Sequence, residues 1–143
     1  MRELREAAGL SQSELAARSG VAQPNIAAYE SGRRRASAQM LERLRRAARP
    51  LPHQALSERR QELYKLARGF GFSDVRVFGS AARGTDTPGS DLDILVTRPD
   101  GAGLLTVAAF AEAARELLGV EVDVVTDGAL SDSHEIVKTA VPL

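Results

Sequence analysis

Over the first fifty residues, apolar positions recur every three or four residues, cut by glycines and hydroxyl side chains, the rhythm of short amphipathic helices. Residues 2–8 are helix formers with Leu4, Ala7 and Ala8 as a small apolar stripe, and Gly9 ends them. Ser11 is placed as an N-cap with Glu14 three residues on, the spacing of a capping box, so a second helix runs to about Arg18. Ser19-Gly20-Val21 is a tight turn whose glycine suits a left-handed backbone. A third helix spans Gln23 to Glu30, with Pro24 tolerated in its first turn, and Ser31-Gly32 stops it. Ser37 caps a fourth helix carrying Met40, Leu41 and Leu44. Leu4, Leu10, Leu15, Val21, Ile26, Tyr29 and Leu41 are the expected core.

Arg49-Pro50-Leu51-Pro52-His53 breaks this rhythm. Two prolines end the fourth helix and stiffen a linker over residues 50–56, in which His53 is expected to be solvated. Beyond it, helical and strand periods alternate. Ser57 is the expected cap of a helix over 58–68, with Leu63, Leu66 and Ala67 on one face and Gly69 as its stop. Runs at about 74–79, 91–97 and 121–126 read as strands. Residues 104–118 read as an amphipathic helix ended by Gly119. Asp132 or Ser133 is placed to cap a last short helix containing Ile136 and Val137, with His134 and Lys138 at the surface.

Charge sharpens the division. Residues 1–50 hold ten arginines and five acidic residues, net +5, whereas residues 51–143 hold nine basic and fourteen acidic residues, net −5. The formal net charge of zero therefore conceals a basic segment suited to nucleic acid joined to something else. The chain has no cysteine, which excludes a disulfide framework and a thiolate metal site. No apolar run approaches 18 residues and the N-terminus lacks a signal-peptide core, so a soluble, cytoplasmic protein without a membrane partner is expected.

Two short helices joined by a glycine turn form the helix-turn-helix pattern. The run Gly9-Leu10-Ser11-Gln12-x-x-Leu15-Ala16-x-x-x-Gly20-Val21, continued by Ile26 and Glu30-x-Gly32, resembles the Xre (Cro/repressor-like) helix-turn-helix family over residues 2–48. The resemblance puts Gln23 and Asn25 at the start of the recognition helix, where such side chains can bond adenine bidentately. Gln12 and the run Arg33, Arg34 and Arg35 are then the expected phosphate contacts.

The other informative stretch, Phe78 to Val96, reads FGSAARGTDTPGSDLDILV. A strand end runs into Gly79-Ser80, a short turn follows, and a polar loop leads back to an apolar run bearing Asp91 and Asp93. On a strand, residues i and i+2 share a face, so these two carboxylates point the same way, about 7 Å apart. Paired like charges raise each other's pKa, and a cation between them removes that cost. Hard oxygen ligands suit magnesium bound together with substrate phosphates. Gly79-Ser80 at a strand-to-helix turn offers backbone N–H groups to an anion. Phosphate cradle and paired carboxylates together describe a site for phosphoryl or nucleotidyl transfer.

The combination Gly79-Ser80-x-Ala82-Arg83-Gly84 followed by Ser90-Asp91-x-Asp93 resembles the signature of the minimal nucleotidyltransferases (MNT domains) of the polymerase-beta-type superfamily, over residues 57–143. The fold class this implies is α+β overall: a small all-α helix-turn-helix domain at 1–49, a linker at 50–56, and a minimal nucleotidyltransferase α/β domain with a small mixed sheet at 57–143. The resemblance places a third catalytic carboxylate at Asp123, which sits between valines on an expected central strand, where a charge is expensive unless paired or metal-bound. It implies a catalytic and metal-binding set of Asp91, Asp93 and Asp123 holding one or two Mg2+ ions, with ATP as substrate. Gly79, Ser80, Arg83 and Ser90 are the implied nucleotide-binding residues.

Such domains act as antitoxins beside a HEPN-like toxin, transferring AMP to a toxin tyrosine, and the attached helix-turn-helix domain implies operator DNA and repression of the chain's own operon. A dimer, formed on DNA or with the toxin, is the expected assembly. Two alternatives stand beside this reading. One is a catalytically idle module that neutralises a toxin by contact; the intact Asp91/Asp93/Asp123 set argues against it. The other is a nucleotidyltransferase acting on a small molecule, against which the short chain argues.

Overall fold

The computed structural model describes residues 1–143, the side chain of Ala129 excepted. It divides into two compact units, Met1–Pro50 and Leu51–Leu143.

The first unit is built of α1 (Arg2–Ala7), α2 (Gln12–Ser19), α3 (Gln23–Glu30) and α4 (Ala38–Ala48). The Ser11 hydroxyl accepts from Glu14 N, and the Glu14 carboxylate accepts in return from Ser11 N, which closes the expected capping box. Gly20 stops α2 in the left-handed conformation, and Arg43 Nε reaches the Ser19 carbonyl beside it at 2.7 Å. Ser37 caps α4 through Met40 N. The core is Leu10, Leu15, Val21, Ile26, Leu44, Ala47 and Ala48, with Tyr29 and Met40 partly buried against it. Leu4 is exposed and Leu41 half-buried, contrary to the expectation that both are core. α4 instead presents Leu44, Ala47 and Ala48 inward, the i, i+3, i+4 face one turn further along.

The interior of this unit also holds a charge pair. Arg5, from α1, is buried and grips the Glu30 carboxylate at the end of α3 through Nε at 2.7 Å and Nη2 at 3.0 Å. Its remaining Nη1 donates to the Leu10 carbonyl at 2.7 Å, so the fork is used on three acceptors.

The second unit contains α5 (Pro52–Glu58), α6 (Arg60–Gly69), β1 (Ser73–Phe78), α7 (Gly79–Arg83), β2 (Leu92–Thr97), α8 (Leu104–Leu118), β3 (Val122–Thr126), α9 (Glu135–Thr139) and β4 (Val141–Pro142). The stretch expected as a linker is largely helical. Pro52 takes the first position of α5, where its missing N–H costs nothing, and Pro52 and Ala55 are buried. Ser57 therefore lies inside α5 and caps nothing, and the chain bends at Arg59 into α6. His53 is not simply solvated. Its backbone N donates to Asp86 Oδ2 at 2.8 Å and its Nδ1 lies 2.7 Å from Asp86 Oδ1. At the other end, His134 rather than Asp132 or Ser133 caps α9, its Nδ1 accepting from Ile136 N.

The sheet has the strand order β3-β2-β1-β4. β1 pairs antiparallel with β2 and with β4, while β2 and β3 are parallel and joined by the α8 crossover. The sheet is thus mixed, as expected, but β3 lies at its edge, so Asp123 is exposed rather than set in a central strand. One face carries Val75, Val77, Leu92, Ile94 and Val122, which pack with Leu63, Ala67, Phe72, Phe110 and Ala114. Phe110 meets Phe72 at 5.2 Å and Phe70 at 5.8 Å between tilted ring centroids, a favoured aromatic geometry. That packing leaves the opposite face of the sheet to the polar residues of the candidate site.

Candidate active site and nucleic-acid face

Sheet register brings the expected carboxylates together. Phe78 at the end of β1 pairs with Asp93 of β2, and Asp93 pairs in turn with Asp123 of β3. Residues directly opposite on neighbouring strands share a face, with strands about 4.8 Å apart. Asp123, 30 positions away in sequence, therefore stands beside Asp93. Asp91 directly precedes β2, is exposed, and shares the parity of Asp93. Burial raises the pKa of Asp93 above the ordinary carboxylate range; the charges of Asp123 and Asp91 raise it further, and Arg83 opposes them.

Gly79 opens α7 directly after Phe78, with φ at 72°. A Cβ there would overlap Asp93 Oδ2, so glycine is required twice, by the backbone angle and by the carboxylate against it. Ser80 follows in α7, half-buried, and its carbonyl accepts from Thr85 N at 3.0 Å. Arg83 ends the helix, exposed, before Gly84 at φ 69°. Ser90 fixes the return loop: its Oγ accepts from Thr87 N at 3.0 Å, and its own N donates to the Thr87 carbonyl at 2.9 Å. A cleft of about 500 Å³ lies between α7 and α9, lined by Phe78, Gly79, Ala82, Arg83 and residues of α9 and its cap, among them His134 and Thr139. Gly79→Ala is expected to push the Asp93 carboxylate aside and to cost about 1–3 kcal/mol of stability. A lowered denaturation midpoint together with weakened nucleotide binding checks this.

A divalent cation is implied by this family of folds. Asp93 and Asp123 on one sheet face, with Asp91 just ahead of them, offer the hard oxygen donors it needs, and the like-charge burden on Asp93 is what such an ion relieves. As the side chains stand, no three His, Cys, Asp or Glu among the described residues are gathered into a closed metal cluster. The donor set fits in chemistry and register.

In the first unit, Gln12 and Gln23 begin α2 and α3. Gln23 Nε2 donates to Gln12 Oε1 at 2.8 Å, and Gln12 Nε2 donates to Glu30 Oε2 at 2.8 Å. The amide expected to meet a phosphate thus also anchors the first side chain of the recognition helix. Asn25 Oδ1 accepts from Arg34 Nη1 at 3.3 Å, and Arg34 lies over the Tyr29 ring at 5.9 Å. Arg33 bonds Ser31 Oγ, and all three arginines of the run are exposed. Sequence reading missed the Arg5–Glu30 pair and the His53–Asp86 pair. Partners 25 and 33 residues apart carry no local periodic signal.

A nucleotidyltransferase domain profile matches residues 56–141. The chain belongs to the nucleotidyltransferase domain family. A helix-turn-helix profile matches residues 1–49, so an Xre-like helix-turn-helix domain precedes the nucleotidyltransferase domain. Over 86 residues, 60% of this chain and 89% of the relative, the sequence is 30% identical to a Methanocaldococcus jannaschii protein named "Putative protein adenylyltransferase". A solved structure described as "Structure of putative minimal nucleotidyltransferase" superposes with a TM-score of 0.58 at 39% identity, covering 64% of this chain and 95% of that one. Another, described as "Crystal structure of the toxin-antitoxin with AMP-PNP", superposes with a TM-score of 0.52 at 24% identity, covering 57% of this chain and 69% of that one, a likeness of fold. The family bears out the helix-turn-helix and α/β nucleotidyltransferase architecture expected from the sequence. No helix among the described residues is long and apolar enough to cross a membrane.

Proposed function

We propose that this chain is an antitoxin that transfers AMP from ATP to a hydroxyl, a tyrosine in the leading case, of a HEPN-like toxin, and represses its own operon through the helix-turn-helix domain. The observation that carries the proposal is the register Phe78–Asp93–Asp123, which sets two carboxylates side by side on one sheet face and a third, Asp91, just ahead of them, with Gly79 packed against Asp93. The relative named for protein adenylylation supports a protein acceptor. The fold shared with a toxin–antitoxin structure is consistent with the antitoxin role.

In this reading, Asp91, Asp93 and Asp123 would hold one or two Mg2+ ions. When bound, they supply charge neutralisation for the phosphate oxygens. The backbone at Gly79-Ser80, with the Ser80 hydroxyl, cradles the β- and γ-phosphates, and Arg83 adds positive charge at the mouth of the cleft. The acceptor oxygen attacks the α-phosphorus, the bond from that phosphorus to the bridging oxygen breaks, and pyrophosphate leaves. Asp123, exposed at the sheet edge, takes the acceptor's proton. An edge position leaves it open to a hydroxyl presented by a second macromolecule.

Repression assigns Gln23 and Asn25 to base edges and Arg33, Arg34 and Arg35 to phosphates, on a dimer whose half-sites lie about one helical turn or a multiple apart. Replacing the three arginines with alanine is expected to weaken binding on every sequence and to reduce the salt slope by about 0.9 per lost phosphate contact. Gln23→Ala should relax preference at one or two bases only. Electrophoretic retardation of the upstream region across a salt series measures both; unchanged slopes would remove the arginines from the interface.

A second reading gives the carboxylates no catalytic task. In it the domain neutralises its partner by contact alone. Incubation with α-labelled ATP, magnesium and the product of the neighbouring gene separates the two, since only transfer leaves label on protein.

A further inference from the structure

A second cavity, of about 310 Å³, is walled by α5, the start of α6, α7 and β4. Its floor is apolar, with Leu56, Val77 and Val141 among its residues, and its polar members are His53, Ser57 and Arg60. His53 and Ser57 fall at i and i+4 on one face of α5, and Arg60 opens α6 just beyond the bend at Arg59. No carboxylate side chain lines the cavity, although this unit carries a net charge of −5.

The imidazole is held in place. Asp86 has no side-chain exposure, and both its oxygens are engaged by His53, one by the backbone N and one by Nδ1. The second ring nitrogen of His53, the Ser57 hydroxyl and the Arg60 guanidinium have no hydrogen-bond or ion-pair partner among the described residues. An oriented imidazole, a hydroxyl and a guanidinium around an apolar floor are the few convergent polar groups that fix a small ligand in a pocket. The planar donor fork of arginine and the oriented imidazole, with no acidic side chain among the lining residues, select a negative head group.

We propose that this cavity binds a small organic anion, a phosphate or carboxylate head on a compact apolar body. The size, at the lower end for ligand pockets, suits a single ring rather than a nucleotide. The site adjoins the catalytic machinery without belonging to it. Ala82 of α7 lines both this cavity and the α7–α9 cleft, and Asp86 lies on the loop that leads to Asp91. A bound anion therefore touches two of the elements that carry the nucleotide-binding residues, as an effector would.

Backbone amide chemical shifts of the 15N-labelled full chain, titrated with phenyl phosphate, with benzoate and with neutral benzyl alcohol, test this. Saturable shifts are expected at Ala81, Ala82 and Val141 with at least one anion, and at least tenfold weaker binding of benzyl alcohol. The tighter of the two anions identifies the head group. Arg60→Gln should keep the wild-type melting curve and lose at least tenfold in anion affinity, and His53→Gln should also weaken it. The proposal is overturned if neither anion gives saturable shifts at those amides, if Arg60→Gln binds as wild type does, or if the shifts fall only at Gly79 and Arg83 in the neighbouring cleft.

Discussion

Asp91→Ala combined with Asp93→Ala is expected to lower nucleotidyl transfer by about a thousandfold or more, the scale of several kcal/mol of lost charge stabilisation at the phosphates. The same change should not weaken the fold. Burial and the two like charges raise the folded pKa of Asp93 above the unfolded aspartate value of 3.8. A carboxyl that holds its proton more tightly when folded loses stability as pH rises from the unfolded value through the folded one. Removing the charge recovers it. The paired outcome, activity gone and denaturation midpoint unchanged or higher, separates a functional carboxylate from a structural one. A double variant that transfers label at the wild-type rate, or one that unfolds, would remove these residues from the proposed role.

The second large effect lies in the first unit. Arg5→Ala leaves the Glu30 carboxylate, whose side chain is fully buried, with the Gln12 amide and a longer contact to Arg2 at 3.7 Å. Breaking a buried pair in this way costs about 3–5 kcal/mol, a large share of what a unit this small holds. The helix-turn-helix unit is expected to be substantially unfolded in this variant at 37 °C, with DNA binding lost, while the second unit keeps its own transition. Acid has a related effect. The Arg5 guanidinium holds Glu30 down from 4.5 to about 2. A depressed carboxylate pKa gives stability that is complete above the unfolded value and lost as pH falls from about 4.5 to about 2, on the order of 3 kcal/mol in all. Because Gln12 connects Glu30 to Gln23, the geometry at the start of the recognition helix depends on the same charge. Circular dichroism against pH, with Glu30→Gln as comparison, reads this window.

Much of this architecture is legible in the sequence, because the signals involved are local. The Ser11/Glu14 capping box, the left-handed glycines at 20, 32 and 119, and the bounds of α8 follow from neighbours within four residues. The juxtaposition of residues at the candidate site was legible for a second reason. Glycine at 79 and alternating aspartates at 91 and 93 impose backbone and parity, and strand pairing then brings them together. What escaped depends on distant partners. Asp86 draws the N-terminus of α5 into order, so a stretch with two prolines that reads as a linker becomes a helix resting on Pro52 and Ala55. The short strand β4 is set by pairing with β1 rather than by its own composition, and strand order, which put Asp123 at an edge, is a property of the whole sheet.

Protein adenylylation is tested most directly by the intact mass of the protein encoded beside this one, after incubation with ATP, magnesium and either the wild-type chain or Asp123→Asn. The amide keeps the size of the side chain and loses the charge needed to accept a proton and to bind metal. The expected result is a gain of one adenylyl group, or a multiple of it, with the wild type and none with the variant, although both bind the partner. A partner that stays unmodified yet fully inhibited by both proteins would contradict transfer and leave neutralisation by contact.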